Sequence, residues 1–164
     1  MPEGEVTLTY ERPSAEMAEL LRSLSGLEFL SKIASGELPP AAMAVTLGFR
    51  LDEVSEGRAV FVGDPTERVY NPLGVVHGGF AMVLVDSATG CAVQTLLPAG
   101  TGYGTIETKV NMTRAIHHDS GALTCEAKVV HSGARIATAE ARVTGADGKL
   151  YAHGTSTCLI YPPS

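Results

Sequence analysis

The sequence predicts an α+β fold in which a curved antiparallel sheet wraps around one long central helix. Residues 78–97 form the most continuous apolar segment of the chain, and its length favours a helix over a strand. Several strand-like runs, each of about ten residues, follow this segment and are separated by turn signals. Because a sheet must cover an almost wholly apolar helix, we expect the strands to curve around it.

The N-terminal residues 1–40 are expected to form a helical extension ahead of one larger domain at 41–164. An amphipathic helix is predicted at 14–34, because Ser14 can cap its start and Gly36 can end it. Its apolar stripe repeats at helical spacing and comprises Met17, Leu20, Leu21, Leu24, Leu27 and Leu30. A chain of 164 residues is long enough for one domain with a sizeable core.

The strands are predicted from alternating apolar residues and from the turns between them. Two strands are expected at about 44–54 and 58–63, followed by a loop at 64–77 that contains proline and glycine. After the long helix, further strands are predicted at about 103–113, 121–132, 134–145 and 149–160.

Composition and charge limit the functional classes. The formal net charge of −6 argues against a general nucleic-acid binder, which usually carries a basic surface. No uninterrupted apolar run reaches about eighteen residues, so a membrane span is not expected. The N-terminus has neither a basic segment nor an apolar core, and the cytoplasm is therefore the expected location. Cys91, Cys125 and Cys158 lack metal or redox spacing and are expected to be buried thiols.

Asp86 is the one formally charged side chain between Arg68 and Glu107. Because its neighbours on the predicted helix are apolar, we expect it to be buried without a salt-bridge partner, which disfavours the charged form of a carboxylate. Buried acids of this kind are typical of catalytic sites. The alternative is a structural carboxylate that is bound by backbone N–H groups or by a partner subunit.

Gly78 and Gly79 open the same predicted helix. The first-turn N–H groups of a helix, aided by its dipole, can bind an oxyanion or a polarised carbonyl. Gly78 lies eight residues before Asp86, which is about 12 Å along a helix axis. A reacting carbonyl needs both groups within about 3–3.5 Å. Two antiparallel copies of the helix would meet this requirement, so the spacing indicates an active site shared in a homodimer.

Three motifs carry a family resemblance. They are the string Asn-x6-Gly-Gly-x6-Asp that ends at Asp86, the strand Thr105-Ile106-Glu107-Thr108-Lys109-Val110-Asn111, and the hairpin Gly133-Ala134-Arg135. Together they resemble the PaaI-like acyl-CoA thioesterases of the hotdog superfamily, over about residues 40–160. The resemblance implies a hotdog fold, assembly into dimers and usually tetramers, and hydrolysis of an acyl-CoA thioester without a metal or redox cofactor.

The resemblance also implies roles for individual residues. Gly78 would polarise the thioester carbonyl through its backbone N–H, with Gly79 beside it, and Asp86 would act as nucleophile or general base. The residues that would position the substrate or the attacking water are Asn71, His77 and Thr105. Thr105 stands where related enzymes often have serine, which keeps the hydroxyl and adds a methyl group.

Each positioning residue also has a structural interpretation. His77 precedes a helix, and we favour a role in fixing the loop, because Asp86 is already available as a base. Asn71 can form an Asx-turn ahead of Pro72. Thr105 suits a strand by its β-propensity alone.

Coenzyme A carries several phosphate charges, so a thioesterase of this kind needs cations near its site. Arg114 and Arg135 are the candidates, since arginine binds phosphate with two parallel hydrogen bonds. Either one is equally well explained as a solvated surface charge. No cluster of His, Cys and Asp has metal-ligand spacing, so no metal site is expected.

The leading hypothesis from the sequence is therefore an acyl-CoA thioesterase, with aryl and medium-chain acyl groups both open. A hotdog hydratase is less favoured, because such enzymes usually pair an aspartate with a catalytic histidine in a different arrangement. A non-catalytic acyl-CoA-binding or sensing protein is the alternative from another class. The chain has no basic segment or helix-turn-helix that would accompany a regulator.

Overall fold

The computed structural model describes residues 4–12 and 14–161. The helices are α1 (Ala15–Ser23), α2 (Gly26–Ala34), α3 (Ala42–Leu47) and α4 (Gly78–Gln94). The strands are β1 (Phe49–Ser55), β2 (Arg58–Gly63), β3 (Gly102–Met112), β4 (Leu123–Ser132), β5 (Ile136–Gly145) and β6 (Leu150–Tyr161). They form one antiparallel sheet in the order β1-β2-β4-β5-β6-β3, so β1 and β3 are its edges.

Helix α4 is the centre of the fold and contacts all six strands. Its buried residues are mostly small or aliphatic, and they pack against the concave face of the sheet: Phe80, Ala81, Leu84, Val85, Ala88, Thr89, Gly90, Ala92 and Val93. Among the described residues, no helix is both long and apolar enough to cross a membrane. The predicted α+β fold, a long helix wrapped by a curved antiparallel sheet, is confirmed, and so is the N-terminal helical segment in front of it.

The predicted single helix at 14–34 is wrong in one respect, because the chain breaks it into α1 and α2. The break lies at Leu24, whose backbone is extended. Ser25 then caps α2 through a capping box, in which its Oγ accepts from the Glu28 N–H and the Glu28 carboxylate accepts from the Ser25 N–H. This local hydrogen bonding favours a new helix start over continuation of the first helix.

The first predicted strand also begins too early. Residues 44–48 were expected in a strand, but α3 occupies 42–47 and the strand starts at Phe49. Gly48 ends α3 in the left-handed conformation, with φ at 77°, which a glycine adopts without strain. Val45, Leu47 and Phe49 alternate with period two across the end of α3, and this pattern led to the prediction of a strand there.

Gly26 joins the N-terminal helices to the end of α4. Its N–H donates to the carbonyl of Leu97 at 3.0 Å, and a Cβ at this position would lie 1.8 Å from the backbone oxygen of Gln94. We expect Gly26→Ala to lower the free energy of unfolding by about 1–3 kcal/mol, because the two backbones must move apart. Gly102→Ala is the matched control, since its Cβ would meet nothing closer than 3.8 Å. Equal thermal unfolding midpoints for the two variants would contradict this contact.

Candidate active site

The first residue of α4 presents a backbone N–H group that lacks an acceptor in the described part of the chain. His77 is the N-cap residue, and its Nδ1 accepts a hydrogen bond of 2.8 Å from the Gly79 N–H. Gly79 therefore already has a partner, whereas no described acceptor lies at the N–H of Gly78, the first helical residue. The donor available to a ligand is the Gly78 N–H, at the positive end of the helix dipole.

Asp86 lies on a stripe of α4 that the sheet leaves at least partly uncovered, together with exposed Met82 and half-buried Gly79 and Val83. This stripe and residues 105–108 of β3 line an open cavity of 490 Å³, called here the Asp86 cavity. The expectation that Asp86 is buried is wrong for the single chain, in which its side chain is exposed. The apolar neighbours of Asp86 predicted its burial, but α4 has a second face that the sheet does not cover, and Asp86 lies on that face.

A chain of hydroxyl groups fixes the Asp86 carboxylate from behind. The Thr108 hydroxyl donates to Asp86 Oδ1 at 3.1 Å, and its oxygen lies 3.0 Å from the Oγ of Ser156. Ser156 in turn lies 2.7 Å from the Thr89 hydroxyl, and both of these residues are fully buried. The Thr89 hydroxyl also lies 2.8 Å from the Val85 carbonyl oxygen, so the chain links the carboxylate to the backbone of α4. Neighbouring hydroxyl dipoles in such a chain polarise one another.

Sequence reasoning missed Thr108, Ser156 and Thr89. Strict alternation on β3 would place Thr105 and Thr108 on opposite faces of the sheet, yet both line the Asp86 cavity. The reason is a bulge between Thr105 and Glu107, which changes the alternation by one residue. A run of polar β-branched residues opposite a lone acid was the available signal, but the bulge itself has no glycine to mark it.

Glu107 is a second carboxylate in the Asp86 cavity, which the sequence analysis did not single out. It accepts a hydrogen bond of 3.2 Å from the Thr157 hydroxyl on the neighbouring strand β6. Its side chain is exposed. The cavity therefore holds two acids, of which only Asp86 is on α4 and connected to the buried hydroxyl chain.

Gly78 and Asp86 of one chain open into different cavities. Gly78 lines a separate space of 330 Å³, the Gly78 cavity, together with Met112 and Arg114. The eight-residue spacing on α4 separates the two positions by about 12 Å. One chain thus does not bring the free N–H and the carboxylate to a single carbonyl group.

An apolar chamber of 270 Å³ lies beneath the Asp86 cavity. Its walls come from α2, α3, the β1–β2 hairpin, α4 and β3, and the two spaces share Met43, Asp86 and Thr105. Burial, with a smaller contribution from the charge of Asp86, raises the pKa of the Cys91 thiol in this chamber to about 12. Cys91 is therefore protonated at neutral pH and is not a thiolate nucleophile.

Of the remaining predicted residues, Arg114 lines one of these cavities, whereas Asn71 and Arg135 line none of them. Asn71 forms an Asx-turn, because its Oδ1 accepts from the Leu73 and Val75 N–H groups at 2.9 and 3.3 Å. Arg114 lines the Gly78 cavity, and its guanidinium stacks 5.9 Å from the ring centroid of Tyr151. Arg135 is exposed in the β4–β5 turn and is not among the residues that line the Asp86 or Gly78 cavities.

Known proteins resemble this chain in sequence and in fold. The sequence profile of the Thioesterase superfamily matches residues 73–152. A 1,4-dihydroxy-2-naphthoyl-CoA hydrolase of Listeria monocytogenes is 28% identical over 116 residues, which are 70% of this chain and 90% of that protein.

Two solved structures are also similar. A phenylacetic acid degradation-related protein of Ralstonia eutropha JMP134 is 28% identical with a TM-score of 0.71, over 79% of this chain and 98% of that one. A protein described as a thioesterase superfamily member is 31% identical with a TM-score of 0.67, over 83% of this chain and 98% of that one. The chain therefore belongs to the thioesterase superfamily and has its hotdog fold.

Proposed function

We propose that this protein hydrolyses an aryl- or medium-chain acyl-CoA to the free acid and coenzyme A, in the cytoplasm. The observation that carries the proposal is the Asp86 cavity, in which a carboxylate that accepts a hydrogen bond from Thr108 lies at the border of an apolar chamber. The relatives support the substrate class, since one is a naphthoyl-CoA hydrolase and another belongs to phenylacetic acid degradation. Both of these names refer to aromatic acyl groups.

The active site is proposed to lie between two subunits. Strand β3 is an edge of eleven residues, so its outer N–H and C=O groups are free to pair with a second copy. Exposed apolar side chains on this strand and on α4 add to the same surface, as expected of an interface: Ile106 and Met112 on β3, and Met82 on α4. Antiparallel pairing of two β3 strands about a two-fold axis would run the two α4 helices antiparallel as well. Pairing of such dimers would give the homotetramer that is usual in this family.

In the proposed reaction the thioester carbonyl oxygen accepts a hydrogen bond from the Gly78 N–H of one subunit. Asp86 of the other subunit either attacks the carbonyl carbon or removes a proton from an attacking water molecule. The C–S bond then breaks, and the coenzyme A thiolate leaves and takes up a proton. On the nucleophilic route the acyl group is left as a mixed anhydride on Asp86, which water hydrolyses to the free acid and the regenerated carboxylate. On the general-base route the attacking water itself becomes the hydroxyl of the acid. The helix dipole stabilises the oxyanion that develops on the carbonyl oxygen.

The other site residues have supporting roles in this proposal. Thr105 borders both the Asp86 cavity and the chamber, where its hydroxyl can orient water. Asn71 and His77 hold the loop and the helix start that present the Gly78 N–H. Arg114, beside Gly78, is placed to meet a phosphate of coenzyme A, whereas Arg135 would need to act from another subunit.

Release of free thiol from a panel of aryl- and alkyl-CoA esters tests the proposal directly. We expect turnover by the wild-type protein that requires Asp86. Absence of thiol release across the panel, from folded protein that still binds acyl-CoA, would contradict hydrolysis and favour the non-catalytic acyl-CoA-binding function.

Thr108 is expected to hold Asp86 in the orientation that reaction requires. Thr108→Val keeps the shape of the side chain but removes the donor to Asp86 Oδ1, and we expect kcat to fall about 10-fold with little change in KM. Thr108→Ser restores a hydroxyl and should recover most of the activity. Normal kcat in Thr108→Val would contradict a role for the hydrogen bond, and equal losses in the two variants would show that the hydroxyl alone does not hold Asp86.

A further inference from the structure

We propose that residues 26–47 roof the acyl-binding site and that Met43 sets the largest acyl group it admits. The ligand class is a compact, uncharged acyl group, either a single aromatic ring or a short to medium aliphatic chain. This inference rests on the proposed thioesterase activity and assigns the selectivity of the same site to a segment outside the matched family region, which begins at residue 73.

The N-terminal segment supplies much of the chamber wall. The contributing side chains come from α2, from α3 and from the link between them: Leu30, Ile33, Pro40, Ala41, Met43 and Ala44. Leu30 and Ala44 belong to the core of the protein, so this wall is packed in place and is not a loose lid. The closure therefore limits the chamber on the side opposite α4.

The volume of the chamber favours a compact occupant. At 270 Å³ it is slightly smaller than the roughly 300–1,000 Å³ of pockets that hold drug-sized ligands. Its lining is aliphatic and aromatic apart from Ser87, the Cys91 thiol, and the Asp86 and Thr105 side chains that it shares with the Asp86 cavity. A charged acyl end would lose its hydration in the interior, where the lining has no cation and its one carboxylate, Asp86, lies at the border with the Asp86 cavity, so an uncharged group is preferred.

The inner wall depends on a glycine. Tyr103 lies against Gly90, where a Cβ would come 2.7 Å from the phenol oxygen and 3.0 Å from Cε2. Burial raises the pKa of the Tyr103 phenol well above its usual value, so the ring is neutral at physiological pH. The absence of a side chain at Gly90 therefore gives the Tyr103 ring room against α4.

Met43 lies where three spaces meet. It borders the Asp86 cavity, the apolar chamber and a third cavity of 340 Å³ that reaches His77 and Tyr70. Its side chain is 57% exposed, so it can be shortened at little cost to the core. Shortening Met43 would join the chamber to the neighbouring spaces and give a longer acyl chain a place to extend.

The test compares kcat/KM for phenylacetyl-, octanoyl- and palmitoyl-CoA in wild type, Met43→Ala and Met43→Trp. We expect wild type to favour the two compact esters over palmitoyl-CoA by about tenfold or more. Met43→Ala should raise the relative kcat/KM for palmitoyl-CoA by about tenfold, and Met43→Trp should lower the relative kcat/KM for octanoyl-CoA. Leu21→Ala, an exposed position on α1 that does not line the chamber, is the matched control.

Calorimetric binding of non-hydrolysable thioether analogues of the same three esters separates this inference from the proposed reaction. Size-selective binding that changes in Met43→Ala supports the chamber, even if no ester is hydrolysed, in which case the proposed function alone fails. Hydrolysis of palmitoyl-CoA as fast as of the compact esters would overturn the inference and leave the thioesterase intact. An unchanged preference among the three esters in both Met43 variants would also overturn the inference.

Discussion

Asp86→Asn is expected to lower kcat by about 10²-fold or more while the protein remains folded. The amide cannot act as a base or a nucleophile, but it keeps the size of the side chain and can still accept from the Thr108 hydroxyl. Because Asp86 is exposed in the single chain, its replacement leaves the core packing unchanged. Steady-state thiol release and a thermal unfolding curve together measure the effect.

Glu107→Gln is the matched control for this prediction. It removes the other carboxylate of the Asp86 cavity, which lies on β3 and has no link to the buried hydroxyl chain. We expect the control to retain most of the wild-type kcat. Near-normal turnover by Asp86→Asn together with a collapse in Glu107→Gln would transfer the catalytic role to Glu107.

Gly78→Pro is expected to have an effect of similar size, a loss of kcat of about 10²–10³-fold. Proline is tolerated at the first position of a helix, where its missing N–H has no helical acceptor. The backbone of His77, at φ −63° and ψ 135°, is also compatible with a following proline. The substitution therefore removes the proposed carbonyl donor while the start of α4 is retained.

Gly78→Ala isolates the N–H from the added side-chain bulk. Its Cβ would come 2.9 Å from the terminal Cε of Met112, which is a flexible side chain that can move. We expect Gly78→Ala to keep activity within about tenfold of wild type, because the donor remains. If alanine and proline reduce kcat equally, bulk at this position is responsible and the N–H is not the carbonyl donor.

The sequence was most informative where one pattern, either a continuous apolar run or an alternation of apolar residues, persisted over a long segment. The apolar run that begins at Gly78 predicted α4, and the strands after it were placed within about two residues of their observed bounds. Asp86 was found because charged residues are rare in that run, and the glycine pair was found because it opens the run. The resemblance of the Asn-x6-Gly-Gly-x6-Asp string to acyl-CoA thioesterases then indicated thioester hydrolysis, which the spacing alone left open.

Three features required the folded chain. Ser25 and Glu28 start a new helix through their side chains, and hydrophobic periodicity does not register such a capping box. The β3 bulge places Thr108 beside Asp86, three residues after Thr105, which strict alternation forbids. The exposure of Asp86 depends on where the sheet ends, and a single sequence does not indicate which face of an apolar helix is left uncovered.

Mixing two inactive variants tests whether the active site is shared between two subunits. Asp86→Asn and Gly78→Pro are denatured together, refolded and assayed for thiol release, with each variant refolded alone as a control. A mixed dimer would contain one site with both native groups, so we expect recovery to about a quarter of wild-type activity at equal amounts. No recovery in mixtures shown to form mixed dimers would contradict the shared site and place the donor and the acid in one chain.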